Sequence, residues 1–459
     1  MIKSHKLEYF IENQGKIVES RERKETYGEV NTPFSLIESI FKIIPEEDFK
    51  NPNFKWLDIG AGSGNFSVVL YFKLLESLKE KISEEEERKD HIIKNMIFMC
   101  EIQASNINIL RDMFGKHSNI IHSDFLSVSL SSKFTYIIGN PPFNTNGLKK
   151  VPTNAIRDKK KDGGTCWPNF IKKAIKELKE NGKMCVFIPT IWLKPDKEGI
   201  YNLLTEYQID RLTCLTNTKV NQLFKGNAQT PCCYFLLTKK KTNRIISIYD
   251  KSEERYIDFK WRENIPIPVY RQNIMSGFLE FMDKFKQKYG EEIHIDVIKT
   301  NMPTRDTILS PDKNNICNFQ NISTCRYENR GNKRGKLIIN YSNKPQAFFG
   351  KPKLVLAHKV DGIPYLDEKG EYGISNRDNY VILPLSNDKH GIDQLEKLGD
   401  FLSNEIIIDL FKSTRYRMQY LEKYVFELLP DIRKINDFPD EINSKSINSY
   451  FQINKINNI

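Results

Sequence analysis

The residues best placed to do chemistry are Asn140, Pro141, Pro142 and Phe143, which follow the apolar run Tyr136-Ile137-Ile138-Gly139. An apolar run of that kind delivers the asparagine at a strand end. The two prolines behind it fix the backbone and carry no N–H. The Asn140 side-chain oxygen and the Pro141 carbonyl then make a rigid pair of acceptors, matched to the two hydrogens of a planar amino group. Phe143 offers a face on which a π system can stack. If the amino nitrogen's lone pair is delocalised into a ring, two such hydrogen bonds draw the nitrogen toward tetrahedral geometry and free the lone pair for an electrophile.

An electrophile needs its own holder, and three strand ends upstream are candidates. The first is Trp56-Leu57-Asp58-Ile59-Gly60-Ala61-Gly62-Ser63-Gly64-Asn65-Phe66, an apolar strand running into a loop with glycine at every second position. Such a loop is either a tight structural turn or a place where backbone meets a ligand beside a helix N-terminus. Its spacing differs from the dinucleotide fingerprint Gly-x-Gly-x-x-Gly. Asp58, Gly60, Gly62 and Gly64 instead resemble the cofactor loop of S-adenosylmethionine-dependent methyltransferases. The second is Ile97-Phe98-Met99-Cys100-Glu101-Ile102, which puts a carboxylate where ribose hydroxyls could be bound, or leaves it on the surface. Glu101 lies 37 residues after Gly64, against ~20 in the nucleotide-binding pattern, and the mixed-charge stretch Glu76 to Asp90 accounts for the excess. That stretch reads as a solvated extension of the first crossover helix. The third is Ile121-His122-Ser123-Asp124-Phe125, where Asp124 could accept from the exocyclic amine of an adenine with Phe125 packed on the ring, or could simply cap a turn.

Eight short apolar runs alternate with helical patterns between about residues 23 and 245: 56–59, 96–100, 119–122, 136–139, 183–188, 211–215, 232–238 and 244–249. This alternation predicts a doubly wound α/β domain built on a largely parallel sheet. A connecting segment is expected over 251–300, where Ile265-Pro266-Ile267-Pro268 interrupts the pattern. A smaller α+β domain is expected over 301–430, with strands at 336–340, 353–358 and 379–383 and an apolar helix pattern from Ile392 to Phe426. A polar arm, 1–22, and a polar tail, 431–459, flank these and are expected to be poorly ordered.

Taken together and in order, these motifs resemble the gamma-class N6-adenine-specific DNA methyltransferases of the restriction-modification type, with Asn-Pro-Pro-Phe as the catalytic motif. Tyr27-Gly28-Glu29-Val30-Asn31-Thr32-Pro33 is similar to that family's N-terminal cofactor motif, whose Thr-Pro turn, here Thr32 and Pro33, contacts the methionine part of the cofactor. Trp167-Pro168-Asn169-Phe170 and Gly182 to Pro189 resemble the helix and strand after the catalytic motif. Leu223 to Asn227 with Thr230 to Phe235 resemble the late hairpin, where an aromatic, here Phe224, holds the flipped base. The resemblance covers residues ~25 to 240. It implies a Rossmann-like catalytic domain, S-adenosylmethionine as cofactor and S-adenosylhomocysteine as product, no metal, and cofactor contacts from Thr32, Pro33, Asp58, Gly60, Gly62, Gly64, Glu101, Ile102, Asp124 and Phe125. It also implies base flipping from duplex DNA and a cognate restriction endonuclease as a possible partner.

The second domain would then read the DNA. From Arg326 to Lys353 there are eight Lys/Arg (326, 330, 333, 334, 336, 344, 351, 353) against one acid, Glu328, with Tyr327, Tyr341, Phe348 and Phe349 interleaved. Arg326, Arg330, Lys333, Arg334 and Lys336 are the expected substrate contacts, to phosphates and base edges; the competing reading is an ordinary basic surface. A second basic stretch, Lys149 to Lys161, is expected to be a mobile loop closing over substrate.

Composition sets the outer bounds. The 459 residues carry a formal charge of +11, with 39% hydrophobic and 28% charged residues, a balance that favours a polyanionic partner. No run approaches the ~20 apolar residues of a membrane helix, and the first residues lack the apolar stretch of a secretory signal. The expectation is a cytoplasmic protein, bacterial or in the host cell of a virus, that is neither secreted nor membrane-bound. Eight cysteines without a Cys-x-x-Cys pair and seven scattered histidines give no zinc pattern. Two competitors keep part of this reading. Asn-Pro-Pro-aromatic also serves enzymes that methylate RNA bases or a protein glutamine amide, and a noncatalytic nucleic-acid-binding protein could retain the fold.

Overall fold

A computed structural model of the chain describes residues 30–144, 164–326, 336–358, 364–417 and 420–453. The polar arm 1–22 and the loop 149–161 lie outside the described residues. The chain divides into two compact units, one of residues 1–249 and 255–266, the other of 250–254 and 267–459.

The first unit is built on a nine-stranded sheet. Its strands are β1 (Trp56–Ile59), β2 (Ile97–Glu101), β3 (Asn119–His122), β4 (Phe134–Gly139), β5 (Leu178–Pro189), β6 (Tyr207–Leu215), β7 (Cys232–Lys241), β8 (Ile245–Asp250) and β9 (Arg255–Lys260), in the order β3-β2-β1-β4-β5-β7-β6-β8-β9. All eight expected strands are present; β9, with its alternating charges, carries too little apolar pattern to be read as one. Strands β3 to β5 run parallel, and β7 inserts antiparallel between β5 and β6. This is the Rossmann-like, doubly wound arrangement. Parallel strands covered by helices on both faces read as near-continuous apolar runs, and β1 is buried at all four positions.

The order reverses between β1 and β4, which pair directly, Asp58 opposite Ile138. A doubly wound sheet opens a crevice at such a switch point, beyond the carboxyl ends of its strands. Two glycines make the crevice possible. Gly64 has φ +93°, and a Cβ there would lie 2.7 Å from Leu110 Cδ2, so glycine lets the helix Asn65–Ser77 begin close against the helix Ala104–Phe114. Gly139 has φ +138°, and a Cβ would meet the Ile59 carbonyl at 2.9 Å. The chain therefore leaves β4 pressed against the end of β1.

The mixed-charge stretch departs from expectation. The first crossover helix stops at Ser77, and a separate helix, Glu85–His91, follows. Within it Arg88 is buried, its guanidinium donating to the Ile82 and Ser83 carbonyls at 2.6 and 2.9 Å. A buried cation needs such acceptors, and a charge count does not reveal them.

The second unit is α+β. One four-stranded sheet runs β10-β17-β14-β15, from Ile298–Lys299, Asn379–Ile382, Lys353–Ala357 and Pro364–Asp367; the other runs β11-β13-β12-β16, from Leu309–Ser310, Lys336–Ser342, Phe319–Arg326 and Gly373–Ile374. Two sequence expectations differ here. The 251–300 segment, expected as a connection, holds β9 and the 18-residue helix Gln272–Tyr289. The 431–459 stretch, expected as a polar tail, contains the capped helix Ser444–Tyr450, and Ile447, Phe451 and Ile453 are buried. Phe451 packs edge-on against Phe278 and Phe281, ring centroids 4.8 Å apart in both cases. A few apolar residues among many Asn and Ser are enough to dock a short helix where an aromatic surface awaits them. Among the described residues the apolar pattern from Ile392 to Phe426 resolves into two α-helices, Lys389–Leu402 and Glu405–Ser413, divided where Asn404 caps the second through the Ile406 N–H, and a 3-10 helix, Lys423–Leu428.

Candidate active site

A cavity of about 510 Å³ opens over the switch point of the nine-stranded sheet, within the range of small-molecule sites. It is lined by the N-terminal turn at residues 30–32, the loop after β1, the ends of β2 and β3, the segment after β4, and the 224–230 loop before β7. Stretches far apart in sequence thus converge on one space.

The loop after β1 is tied down from both sides. The Gly60 and Ala61 N–H groups donate to the Cys100 carbonyl at 3.0 and 2.9 Å. The Gly62 N–H donates to Glu101 Oε2 at 2.7 Å, while Glu101 Oε1 accepts from the Gln103 N–H at 2.8 Å. Both carboxylate oxygens are thereby fixed. Asp124 also lines the cavity, its Oδ1 accepting from the Leu126 N–H at 2.9 Å.

Asn140 is held by the N-terminal turn. Its Nδ2 donates to Thr32 Oγ1 at 3.0 Å. Its Oδ1 is buried and has no hydrogen-bond partner among the described residues. A buried acceptor without a donor costs stability, and such groups are rare enough in folded proteins that each asks for an explanation. Next to it, the Pro142 carbonyl accepts from the Cys166 thiol at 3.0 Å and the Phe143 carbonyl from the Cys166 N–H at 3.1 Å. Phe143, Phe187 and Phe224 form an aromatic ladder, with centroids 6.5 Å apart for the first pair and 5.8 Å for the second. Phe125 lies against Phe170 at 5.6 Å.

Of the residues singled out from the sequence, Thr32, Gly60, Gly62, Glu101, Ile102, Asp124, Phe125, Asn140, Pro141, Pro142, Phe143 and Phe224 line this cavity. Pro33, Asp58 and Gly64 do not. Pro33 instead caps the helix Phe34–Phe41, Gly64 packs under Leu110, and Asp58 is buried below the loop with Oδ2 accepting from Ser67 Oγ at 2.8 Å. Arg330, Lys333 and Arg334 lie outside the described residues. Arg326 and Lys336 belong to the second unit, at paired positions of β12 and β13. Sequence reasoning passed over Ser63, Asn65 and Phe187, which complete the pocket wall. Asn65, directly after the third glycine, has its side chain tied to the Thr32 carbonyl at 2.8 Å and to Ser63 Oγ at 3.2 Å, pairings that no local pattern announces.

Burial, with Glu101's charge adding to it, pushes the Asp58 carboxyl up to about 7. The unfolded chain releases this proton near pH 4 and the folded one keeps it to about 7, so folding stability falls as pH rises through that window. Asp58→Asn removes the titration. The difference in melting temperature between variant and wild type should move in the variant's favour from pH 4 to pH 7 and then level off; a constant difference would show that Asp58 is ionised throughout.

No group of three or more His, Cys, Asp or Glu among the described residues is arranged to hold a metal ion. No described helix is long and apolar enough to cross a membrane.

Comparison with known proteins follows the same lines. Residues 16–224 match the family model described as Eco57I restriction-modification methylase. No curated protein matches the sequence. Among solved structures, the type IIL restriction-modification enzyme MmeI, determined in complex with DNA, is similar over 96% of this chain and 72% of its own, with TM-score 0.52 and 14% identity; at that identity the likeness is one of fold. The EcoKI M protein of a type I restriction enzyme (TM-score 0.35, 17% identity, 57% of this chain) and a type I methyltransferase subunit from Streptococcus thermophilus (TM-score 0.36, 20% identity, 58% of this chain) align more weakly. The chain spans 54% and 56% of the length of those two subunits.

Proposed function

We propose that this chain, whose residues 16–224 match the restriction-modification methylase family, is a site-specific DNA methyltransferase that transfers a methyl group from S-adenosylmethionine to the N6 amino group of an adenine turned out of duplex DNA. The observation that carries the reading is the buried, partnerless Asn140 Oδ1, on a residue that lines the same cavity as the glycine loop and the fixed Glu101 carboxylate. An acceptor kept empty at the cost of a hydrogen bond is what a substrate N–H is needed to fill.

S-adenosylmethionine supplies, when bound, a methyl group made electrophilic by its sulfonium. The residues at hand fit its nucleoside part: Glu101 as acceptor for ribose hydroxyls, Asp124 as acceptor for an adenine amine, and the Gly60–Gly62 backbone as a close-fitting floor. On the other side, Asn140 Oδ1 and the Pro141 carbonyl accept the two N6 hydrogens of the target base, and Phe143, backed by Phe187 and Phe224, stacks on its ring. These acceptors would localise the lone pair on N6 and stabilise the positive charge that grows there as the new N–C bond forms at the expense of the sulfonium S–C bond, with S-adenosylhomocysteine as the leaving product. Holding both reactants in line makes the step effectively unimolecular. One N6 proton is then lost to solvent.

The second unit is proposed to recognise the DNA sequence. Support comes from the basic stretch of sequence from Arg326 to Lys351 and from the likeness to MmeI over both units. The same reading puts forward the cytoplasm of a bacterium, or of the host cell of a virus, as its location and a cognate restriction endonuclease as a possible partner.

The test is transfer of labelled methyl from S-adenosylmethionine to mixed-sequence duplex DNA, total RNA and protein extract in parallel. Label recovered as N6-methyladenine in DNA is expected. Label confined to RNA or to protein glutamine would keep the pocket and replace the substrate; cofactor binding with no label anywhere would leave a noncatalytic binding protein.

A further inference from the structure

We infer that Thr32 is a positioning residue for the Asn140 amide: its hydroxyl sets the plane in which Asn140 presents Oδ1 to the target amine. The inference rests on the proposed methyl transfer for its meaning, but its geometry stands alone. The terminal torsion of an asparagine is broad and poorly defined by rotamer preference, so an amide that must aim one atom at a substrate needs an anchor at its other end. Thr32 Oγ1, 3.0 Å from Asn140 Nδ2, is that anchor, and Asn140 Nδ2 has no other hydrogen bond among the described residues. Across the amide, Oδ1 is buried and unpartnered.

Thr32 is itself immobilised. It is 5% exposed, and its carbonyl accepts from Asn65 Nδ2 at 2.8 Å. Ser63 Oγ bridges Asn31 Oδ1 at 3.0 Å and Asn65 Oδ1 at 3.2 Å. Ser63 adjoins Gly62, whose N–H is bonded to Glu101. The loop that would hold the cofactor and the amide that would hold the base are therefore parts of one hydrogen-bonded chain, with Thr32 as the link between them. This role differs from a direct contact to the cofactor, which would govern its affinity; a positioning role governs the rate once both ligands are bound.

Thr32→Val removes the hydroxyl at nearly constant shape, and Thr32→Ser retains it. For Thr32→Val, turnover at saturating cofactor and DNA should fall about tenfold to a hundredfold, the scale of a catalytic group displaced by about 1 Å, while the dissociation constant for S-adenosylmethionine, measured by calorimetry, stays within about threefold, short of the tenfold that 1.4 kcal/mol represents. Thr32→Ser should recover most of the rate. A crystal structure of Thr32→Val should show the Asn140 amide rotated or in more than one orientation. Loss of cofactor affinity with unchanged turnover would overturn the inference, as would wild-type turnover in Thr32→Val. If the wild-type protein methylates no DNA, the functional reading fails on its own; an Asn140 amide in the same orientation in the Thr32→Val crystal then overturns this one as well.

Discussion

Asn140→Ala should abolish methyl transfer while leaving the cofactor bound. In the wild type, Asn140 Oδ1 is buried and has no hydrogen-bond partner among the described residues, and under the proposed transfer it gains one when the amine arrives. Interactions made in the transition state and prepared in the ground state contribute most to rate. Removing one such preorganised group lowers turnover by about 10²–10³-fold in comparable sites, and Asn140→Ala should lose at least that much because it also frees the Thr32 hydroxyl. Cofactor affinity should hold, since Glu101 is held by the Gly62 and Gln103 N–H groups and the Asn140 amide bonds to Thr32. Single-turnover transfer of labelled methyl, set beside calorimetric cofactor binding, separates the two quantities. A variant turning over within tenfold of wild type would remove Asn140 from the chemistry, and a parallel loss of cofactor binding would mean that the cavity had collapsed.

Lys353→Met should destabilise the second unit by about 3–5 kcal/mol, the scale for breaking a buried ion pair on one side. Lys353 is fully buried and pairs with Asp367, itself 2% exposed, at opposed positions of β14 and β15. Its ammonium also donates to the Phe348, Lys351 and Tyr372 carbonyls at 3.1, 3.2 and 2.6 Å, and Asp367 accepts from the Glu371 and Tyr372 N–H groups. Burial lowers the Lys353 pKa against the opposing pull of Asp367. Deleting the lysine strands a buried carboxylate and three carbonyls together. The double variant Lys353→Met/Asp367→Leu should recover part of the loss, because an apolar pair needs no partner. Denaturant midpoints of the full chain measure all three. A Lys353→Met variant within about 1 kcal/mol of wild type, the scale of an exposed pair, would show that the ammonium reaches water. Lys353 also drops out of the basic run expected to meet phosphates, since no phosphate reaches a side chain with no exposed surface.

What could be read without coordinates was whatever depends on near neighbours along the chain. Apolar runs between helical stretches announced the eight strands from β1 to β8. Glycines at alternate positions announced a loop of unusual backbone, and Asn140 to Phe143 announced an acceptor pair beside a ring, because two prolines leave the backbone few alternatives. The identity of the acidic strand ends was legible too: Glu101 and Asp124 line the cavity at the ends of β2 and β3.

The tertiary structure decided the matters that turn on burial and on pairing across the chain. Whether an acid beside the glycine loop faces a ligand or supports the loop from below depends on which side of β1 it leaves, and Asp58 leaves toward Ser67. Whether a lysine in a basic run meets solvent depends on what its strand faces, and Lys353 meets Asp367. Phe451 and Ile453 look like the end of a polar tail until Phe278 and Phe281 are placed beside them. The Thr32–Asn140 bond joins residues 108 positions apart, and no local pattern encodes it. The physical reason is the same in each case: strand formation and turn geometry follow from a residue and its neighbours, whereas desolvation, charge pairing and the aim of an amide depend on atoms that only the folded chain brings within a few ångströms.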